Sequence, residues 1–441
     1  MTDNIYSSYV ETGQRYIADT IVTCDANNNV YSQGFVDVDA DGKISAVGPL
    51  MAGMTSHSRE QRIGGLLMPG LVNAHCHTPM TLVRGAGDGL PLQRWLAEAM
   101  WPREGKMNEE DAYWGMTLGS AEMFRAGVTT SCEMYLFEEA LVEAANSSGA
   151  RLVMTPGVFK SSYSDSRLQD FTEFYNRHHN PEGRITVGLG PHSAYDLGIP
   201  ACIELAEFAK SLDVLLHIHL AETREESSQL ESEYGKSIVE ILSENGILEG
   251  NVLAAHCVWL NDNDISLLAD SNVSVAHCPI SNMKLGSGIA PIEKMLEKDL
   301  TVGLGTDGPA SNDTLDLWEE VKIAALLARV NSLDATLISP SEVLGMATRK
   351  SANAIGLNRV GSLEVGWEAD MIRIDTEYST FTPSTDVNET LAHLVWSGSS
   401  RSVTDVWIAG SKVLSEGDLV TIDEERALRE VKERAFRLAE V

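Results

Sequence analysis

Two histidines, His75 and His77, stand two residues apart in the stretch Met68-Pro-Gly-Leu-Val-Asn-Ala-His-Cys-His-Thr-Pro79. They close a short apolar run, and a strand alternates its side chains with period two, so both imidazoles point to the same side. Neutral imidazole is a preferred ligand of zinc and similar ions, which makes such a pair half of a metal site. Later segments repeat the design, an apolar run that ends in a ligand-capable side chain. Val214-Leu-Leu-His-Ile-His-Leu-Ala-Glu222 offers His219 and Glu222, with His217 on the same face one layer deeper, where a packed histidine is expected rather than a ligand. The run 251–256 offers His256, 273–277 offers His277, and 300–307 offers Asp307. His277 either lines a pocket or braces the loop Ser281-Asn-Met-Lys284.

These residues need elements that bring them together. Apolar runs that do not alternate with polar residues read as strands buried on both faces, as in a parallel sheet. Eight such runs occur, at 71–75, 128–134, 151–158, 185–190, 214–219, 252–256, 273–277 and 301–306. Segments of helical period lie between them. One starts at Asn108-Glu-Glu-Asp111, a capping residue with an acidic first turn, and stops at Gly127. The pattern predicts an α/β (β/α)8 TIM-type barrel with its site at the C-terminal mouth. An open doubly wound sheet is disfavoured because no Gly-rich nucleotide fingerprint follows the first strand. At 441 residues the chain exceeds a barrel of about 250. The excess lies at both ends, where residues 1–65 and 361–441 alternate in strand fashion, with an Asp41-Gly42 turn in the first. The predicted domains are 1–65 and 361–441, paired into a small β-sandwich, around a barrel at 66–360. Ser339-Pro-Ser-Glu342 is a capping box with proline at the first helical position, and Gly356 is expected to close that helix. The charged final helix, from about Asp423, is expected to be solvated or at an oligomer contact.

The chain resembles the amidohydrolase superfamily, and within it the S-adenosylhomocysteine/5′-methylthioadenosine deaminases. The resemblance is carried by Pro69-Gly-Leu-Val-Asn-Ala-His-Cys-His77, Gly190-Pro-His-Ser-Ala-Tyr195, His217-Ile-His-Leu-Ala-Glu-Thr223, Ala255-His-Cys257, Pro279-Ile-Ser-Asn-Met-Lys-Leu-Gly286 and Gly303-Leu-Gly-Thr-Asp-Gly308. It implies that His75, His77, His219 and Asp307 hold one divalent metal. Three imidazoles and a carboxylate suit zinc, although iron or manganese would fit the same ligands. Two-metal relatives use a barrel lysine as a bridge, and no lysine lies in 185–190, so one metal is expected per subunit. Glu222, three residues past His219, can face the metal without binding it and is read as the proton shuttle to a ring nitrogen. Asp307 is read as ligand and acceptor of the water's proton, and His256 as the group that orients that water. The resemblance further implies Glu104, after Trp101-Pro102, as a clamp on the ribose hydroxyls. It also implies Arg167 and Arg184 near the polar tail of the substrate, and His192 against the purine or the sugar edge. Trp95 is expected either to pack on the base or thio-substituent or to sit in a helix core.

The implied reaction is hydrolytic deamination of a 5′-substituted adenosine such as S-adenosylhomocysteine or 5′-methylthioadenosine, giving the inosine analogue and ammonia. The alternative in the same class is hydrolysis of another heterocycle, an aminopurine or an s-triazine. A metal-free assembly protein is disfavoured because every expected ligand is present. Net charge is −31, which argues against nucleic acid or an anionic membrane as partner. A small nucleoside is the expected partner, with a homo-oligomer implied by the resemblance. The six cysteines, Cys24, Cys76, Cys132, Cys202, Cys257 and Cys278, show no disulfide spacing and read as packing thiols of a reducing compartment. With no apolar signal region at Met1–Ser8, the expected location is the cytoplasm.

Overall fold

Runs of apolar residues without polar alternation must be covered on both faces, and the strands that carry the histidines are buried along almost their whole length. In the computed structural model, which describes residues 13–54, 57 and 59–440, they are β1 Leu71–Cys76, β2 Val128–Glu133, β3 Arg151–Met154, β4 Ile185–Val187, β5 Leu216–Leu220, β6 Val252–His256, β7 Ser274–His277 and β8 Val302–Leu304. The first four form one parallel sheet in chain order and the last four another. Among the described residues no continuous ladder crosses the two seams, but single parallel bridges do, Cys76 to Asp307 and Leu189 to Leu216. Each strand is followed by a helix, beginning with Glu109–Arg125 after β1 and ending with Leu317–Ser332 after β8. The architecture is α/β, of TIM-barrel type.

Local sequence explains the helix starts. Asn108 and Asp111 form a reciprocal capping box, so two otherwise orphaned backbone N–H groups are satisfied at the start of Glu109–Arg125. The same box closes at Ser339 and Glu342, with Pro340 in the first turn. That helix is shorter than expected. It ends at Met346, Thr348 leaves the helical region at φ −130°, and a second helix, Arg349–Ala354, follows before Gly356.

Both chain ends enter one sheet of nine strands among the described residues. Leu66–Pro69 pairs antiparallel with Met371–Ile374 and so joins the N-terminal strands to the C-terminal ones. A boundary at 65 therefore falls on the wrong side of this strand. The final helix, Glu424–Ala439, is not solvated all round. It packs on Glu109–Arg125, where Arg437 and Arg434 reach the buried Asp111 carboxylate at 2.5 and 3.4 Å. The expectation placed on Met1–Ser8 lies outside the described residues. Among the described residues no helix is long and apolar enough to cross a membrane.

Candidate active site at the C-terminal ends of the strands

β1 delivers His75 and His77, β5 delivers His219, and Asp307 follows β8. β8 comes close enough to β1 for this only because residue 305 is glycine: a Cβ there would lie 2.8 Å from the His75 carbonyl oxygen. Asp307 itself takes a left-handed φ of +59°, which turns its carboxylate inward. Its Oδ1 lies 3.4 Å from His75 Nε2 and 3.2 Å from His77 Nε2, while His77 Nε2 lies 3.3 Å from His219 Nε2.

The other nitrogen of each imidazole is already committed. His75 Nδ1 is 2.8 Å from His217 Nε2, His77 Nδ1 donates to the Met134 carbonyl at 2.5 Å, and His219 Nδ1 donates to the His192 carbonyl at 2.9 Å. Asp307 Oδ2 accepts from Ser281 Oγ at 2.6 Å and Ser311 Oγ at 2.9 Å. Two overlapping clusters of ligand atoms result, His75 with His77 and Asp307, and His75 with His219 and His256. His75 Nε2 is buried with no hydrogen-bond partner, an expensive state for a polar atom unless something else satisfies it. A tetrahedral ion with bonds of about 2.05 Å to nitrogen has ligand-to-ligand edges of about 3.3 Å, which matches the spacings seen. The donor set fits a divalent metal.

Glu222 and His256 flank this cradle. Their side chains, both nearly inaccessible, approach to 3.9 Å between Oε2 and Nε2. His256 Nδ1 is 2.9 Å from Asn282 Oδ1, so the amide oxygen accepts from Nδ1–H and leaves Nε2 as the lone-pair nitrogen facing Glu222. Burial pushes the Glu222 carboxyl up, opposed by His256. Its backbone is tied down by Glu226, whose carboxylate accepts the N–H of Glu222 at 2.9 Å and of Ala221 at 3.3 Å. Burial raises Glu226 itself to about 7.

The cavity above is walled by Trp95, Trp101, Tyr135, Phe159, His192 and Tyr195, with Glu222, His256 and Asp307 at its floor. It adjoins an outer chamber that shares Trp101, Glu104, Phe159, His192 and Tyr195 with it and adds Lys160 and Asp196. Glu104 therefore stands where the two spaces meet. It accepts from the Tyr135 hydroxyl at 2.8 Å, and burial raises its carboxyl. Trp95 lines the inner cavity and is also core: it is buried, and its indole N–H donates to the Ala86 carbonyl.

Two expected residues are not brought here. Arg184 precedes β4 and so lies at the opposite end of the barrel, donating to the Ala145 and Ala150 carbonyls at 3.4 and 2.8 Å. A residue before a barrel strand cannot reach a site after its end. Arg167 pairs with Glu138 at 2.6 Å and lines neither chamber. His277 is buried outside the cavity, and Cys76 points away from the cradle to Glu133. Tyr135, Glu226, Ser281 and Ser311 were not singled out by sequence. Ser281 and Tyr195 sit inside the quoted motifs, so the signal was present for them.

Residues 66–413 match the Amidohydrolase family. The chain belongs to the amidohydrolase family. Similar curated members are the 5′-deoxyadenosine deaminase of Methanopyrus kandleri, 38% identical over 91% of this chain and 94% of that one, and the 5-methylthioadenosine/S-adenosylhomocysteine deaminase of Pelotomaculum thermopropionicum, 38% identical over 95% and 97%. The crystal structure of an adenosine deaminase from Xanthomonas campestris with bound zinc superimposes with a TM-score of 0.91 at 31% identity, covering 98% of this chain and 99% of that one. As an amidohydrolase with these relatives, the protein is a hydrolase acting on carbon–nitrogen bonds of cyclic amidines.

Proposed function

We propose that this amidohydrolase removes the 6-amino group of a 5′-substituted adenosine by hydrolysis, using one zinc ion held by His75, His77, His219 and Asp307. The observation that carries the reading is the cradle: four ligand atoms linked by spacings of 3.4 Å from His75 to Asp307, 3.2 Å from Asp307 to His77 and 3.3 Å from His77 to His219, with each imidazole's second nitrogen already bonded. The 38% identity to two deaminases of such nucleosides supports the substrate class over a triazine. When bound, the metal lowers the pKa of water from about 15.7 toward 7 and so supplies hydroxide at neutral pH.

The chain's own residues do the rest. Glu222, its carboxyl raised by burial, holds a proton and delivers it to the ring nitrogen beside the carbon under attack. His256 accepts through Nε2 and orients the water. Asp307, steadied by Ser281 and Ser311, takes the water's proton and passes it toward the departing ammonia. Glu104, at the junction of the chambers, accepts the two ribose hydroxyls, which places the base over Glu222 and the 5′ group in the outer chamber. His192 packs on the sugar edge and Trp95 on the base.

We also propose that the strands close into a complete (β/α)8 barrel, with the end sheet forming a sandwich-like second unit. The six buried free cysteines support a reducing, cytoplasmic setting. The partner is then a small nucleoside rather than nucleic acid, with a homo-oligomer as the expected assembly.

The test is a panel of S-adenosylhomocysteine, 5′-methylthioadenosine, 5′-deoxyadenosine and adenosine with guanine and a chlorotriazine, read by ammonia and chloride release, alongside metal content. Ammonia from the nucleosides and about one ion per chain is expected. Turnover of guanine or the triazine alone would displace the nucleoside reading, and two ions per chain would refute the single metal.

A further inference from the structure

His75 can bind a metal through Nε2 only if its proton sits on Nδ1, and a buried chain of hydrogen bonds decides where that proton goes. The Glu133 carbonyl can only accept, and Thr155 Oγ1 lies 2.7 Å from it, so the hydroxyl proton is spent there. Thr155 Oγ1 also lies 3.0 Å from His217 Nδ1. With its own proton spent, this oxygen accepts, and His217 Nδ1 carries the hydrogen. Cys132 Sγ, 3.6 Å from the same nitrogen, adds a weak second acceptor.

A neutral imidazole protonated at Nδ1 has its lone pair on Nε2, and that atom of His217 is 2.8 Å from His75 Nδ1. His75 must therefore donate, and its remaining lone pair falls on Nε2, the buried atom without a hydrogen-bond partner. Thr155, His217 and His75 are all fully buried, so bulk water cannot substitute for any link.

We propose that His217, locked by Thr155, is a positioning residue that fixes the tautomer of His75 and so sets the metal affinity of the site. Without the lock, His75 is free to place its proton on Nε2 and donate to Asp307 Oδ1, 3.4 Å away. That would close the cradle against a cation. The inference rests on the reading of His75 as a ligand. It assigns a task to the deeper histidine of the β5 pair, which the reaction itself does not use.

The experiment challenges the zinc-loaded protein and its variants with a chromophoric chelator, and melts the metal-free forms. His217→Leu and Thr155→Val remove an acceptor and should weaken zinc retention by about 10- to 100-fold, the usual effect of losing a partner behind a ligand. His217→Gln keeps an acceptor oxygen and Thr155→Ser keeps the hydroxyl, so both should stay within about threefold of the parent. Equal melting of metal-free Thr155→Val and Thr155→Ser would assign the difference to the hydroxyl rather than to packing. If His217→Leu does not fold, the Thr155 pair decides alone. Parental zinc retention in Thr155→Val overturns the relay even though the metal reading stands; a parent that holds no zinc overturns both.

Discussion

At the N-terminal end of the strands, Arg151 is buried with its guanidinium 2.6 Å from Asp370 and 3.1 Å from Glu368, and it donates to the Gly183 carbonyl at 2.8 Å. At the C-terminal end, His75 is as deeply buried, yet its Nε2 has no hydrogen-bond partner, and Glu222 and His256 face one another at 3.9 Å. The cavity at the N-terminal end is larger than the inner one at the top, but its charged walls are paired, Arg151 as above and Arg359 with Glu182. Buried charge that is neutralised in place serves the fold. Buried polar atoms that converge without neutralising one another are kept for something that arrives. Size does not tell the two ends apart, but satisfaction of polar groups does.

The contrast breaks if a change at the top damages folding more than turnover. Glu222→Gln removes the proposed proton shuttle and should lower kcat by about 10³-fold, roughly 4 kcal/mol, with metal content and melting temperature held or improved. Retained activity would reassign the shuttle. Arg151→Met at the other end strands the Asp370 and Glu368 carboxylates and should cost about 3–5 kcal/mol of stability. In denaturant melts this should appear as a shifted midpoint, while kcat/KM of the folded fraction stays within about twofold. A large loss of kcat/KM there would join the two ends functionally.

A third measurement sharpens the view of the top. Glu226, raised by burial to about 7 from 4.5, keeps its proton in the folded state where the unfolded chain has lost it. Its contribution to stability is therefore full below pH 4.5 and is lost as the pH climbs to 7, by up to about 3 kcal/mol at 1.36 kcal/mol per unit. Wild type should lose stability between pH 5 and 7.5 relative to Glu226→Gln, and parallel curves would mean that Glu226 is ionised throughout. Glu104→Ala should cost about 2–3 kcal/mol in kcat/KM for nucleosides and far less for free adenine, because only the nucleoside offers a diol to the carboxylate. An equal loss for both would remove its ribose role.

The top of the barrel was legible in the sequence because each proposed ligand stands at the end of an apolar run, and the run both forms the strand and aims its last residue. His75, His77, His219 and Asp307 come together at the ends of such runs, and His217 lies one layer deeper, against His75. The end sheet was visible through its alternation, but its boundary was not. Leu66–Pro69 is fully buried, reads like a barrel strand, and declares its partner only by pairing with Met371–Ile374. The docking of the last helix on Glu109–Arg125 was equally hidden, since ion pairs between Arg434, Arg437 and Asp111 leave no periodic trace more than three hundred residues apart. Glu226 was passed over because its work is on the backbone of Glu222, and a carboxylate that accepts main-chain N–H groups has no motif of its own.

Arg184 gives the smallest expected effect and tests whether position along a strand outweighs a motif. It was matched by its local string, Pro181-Glu-Gly-Arg184, ahead of the fourth strand. In a parallel barrel the residue before a strand lies at one end and the residue after it at the other, separated by the length of β4, three residues and the turns beside them. Its guanidinium holds the Ala145 and Ala150 carbonyls at the end of the helix Glu138–Ser148, where cationic donors suit exposed C=O groups. Arg184→Met should therefore leave KM for S-adenosylhomocysteine within about twofold and cost about 1 kcal/mol of stability through the lost carbonyl bonds. A tenfold rise in KM for the amino-acid-bearing nucleoside, with none for 5′-methylthioadenosine, would place this arginine at the substrate tail and undo the separation of the two ends.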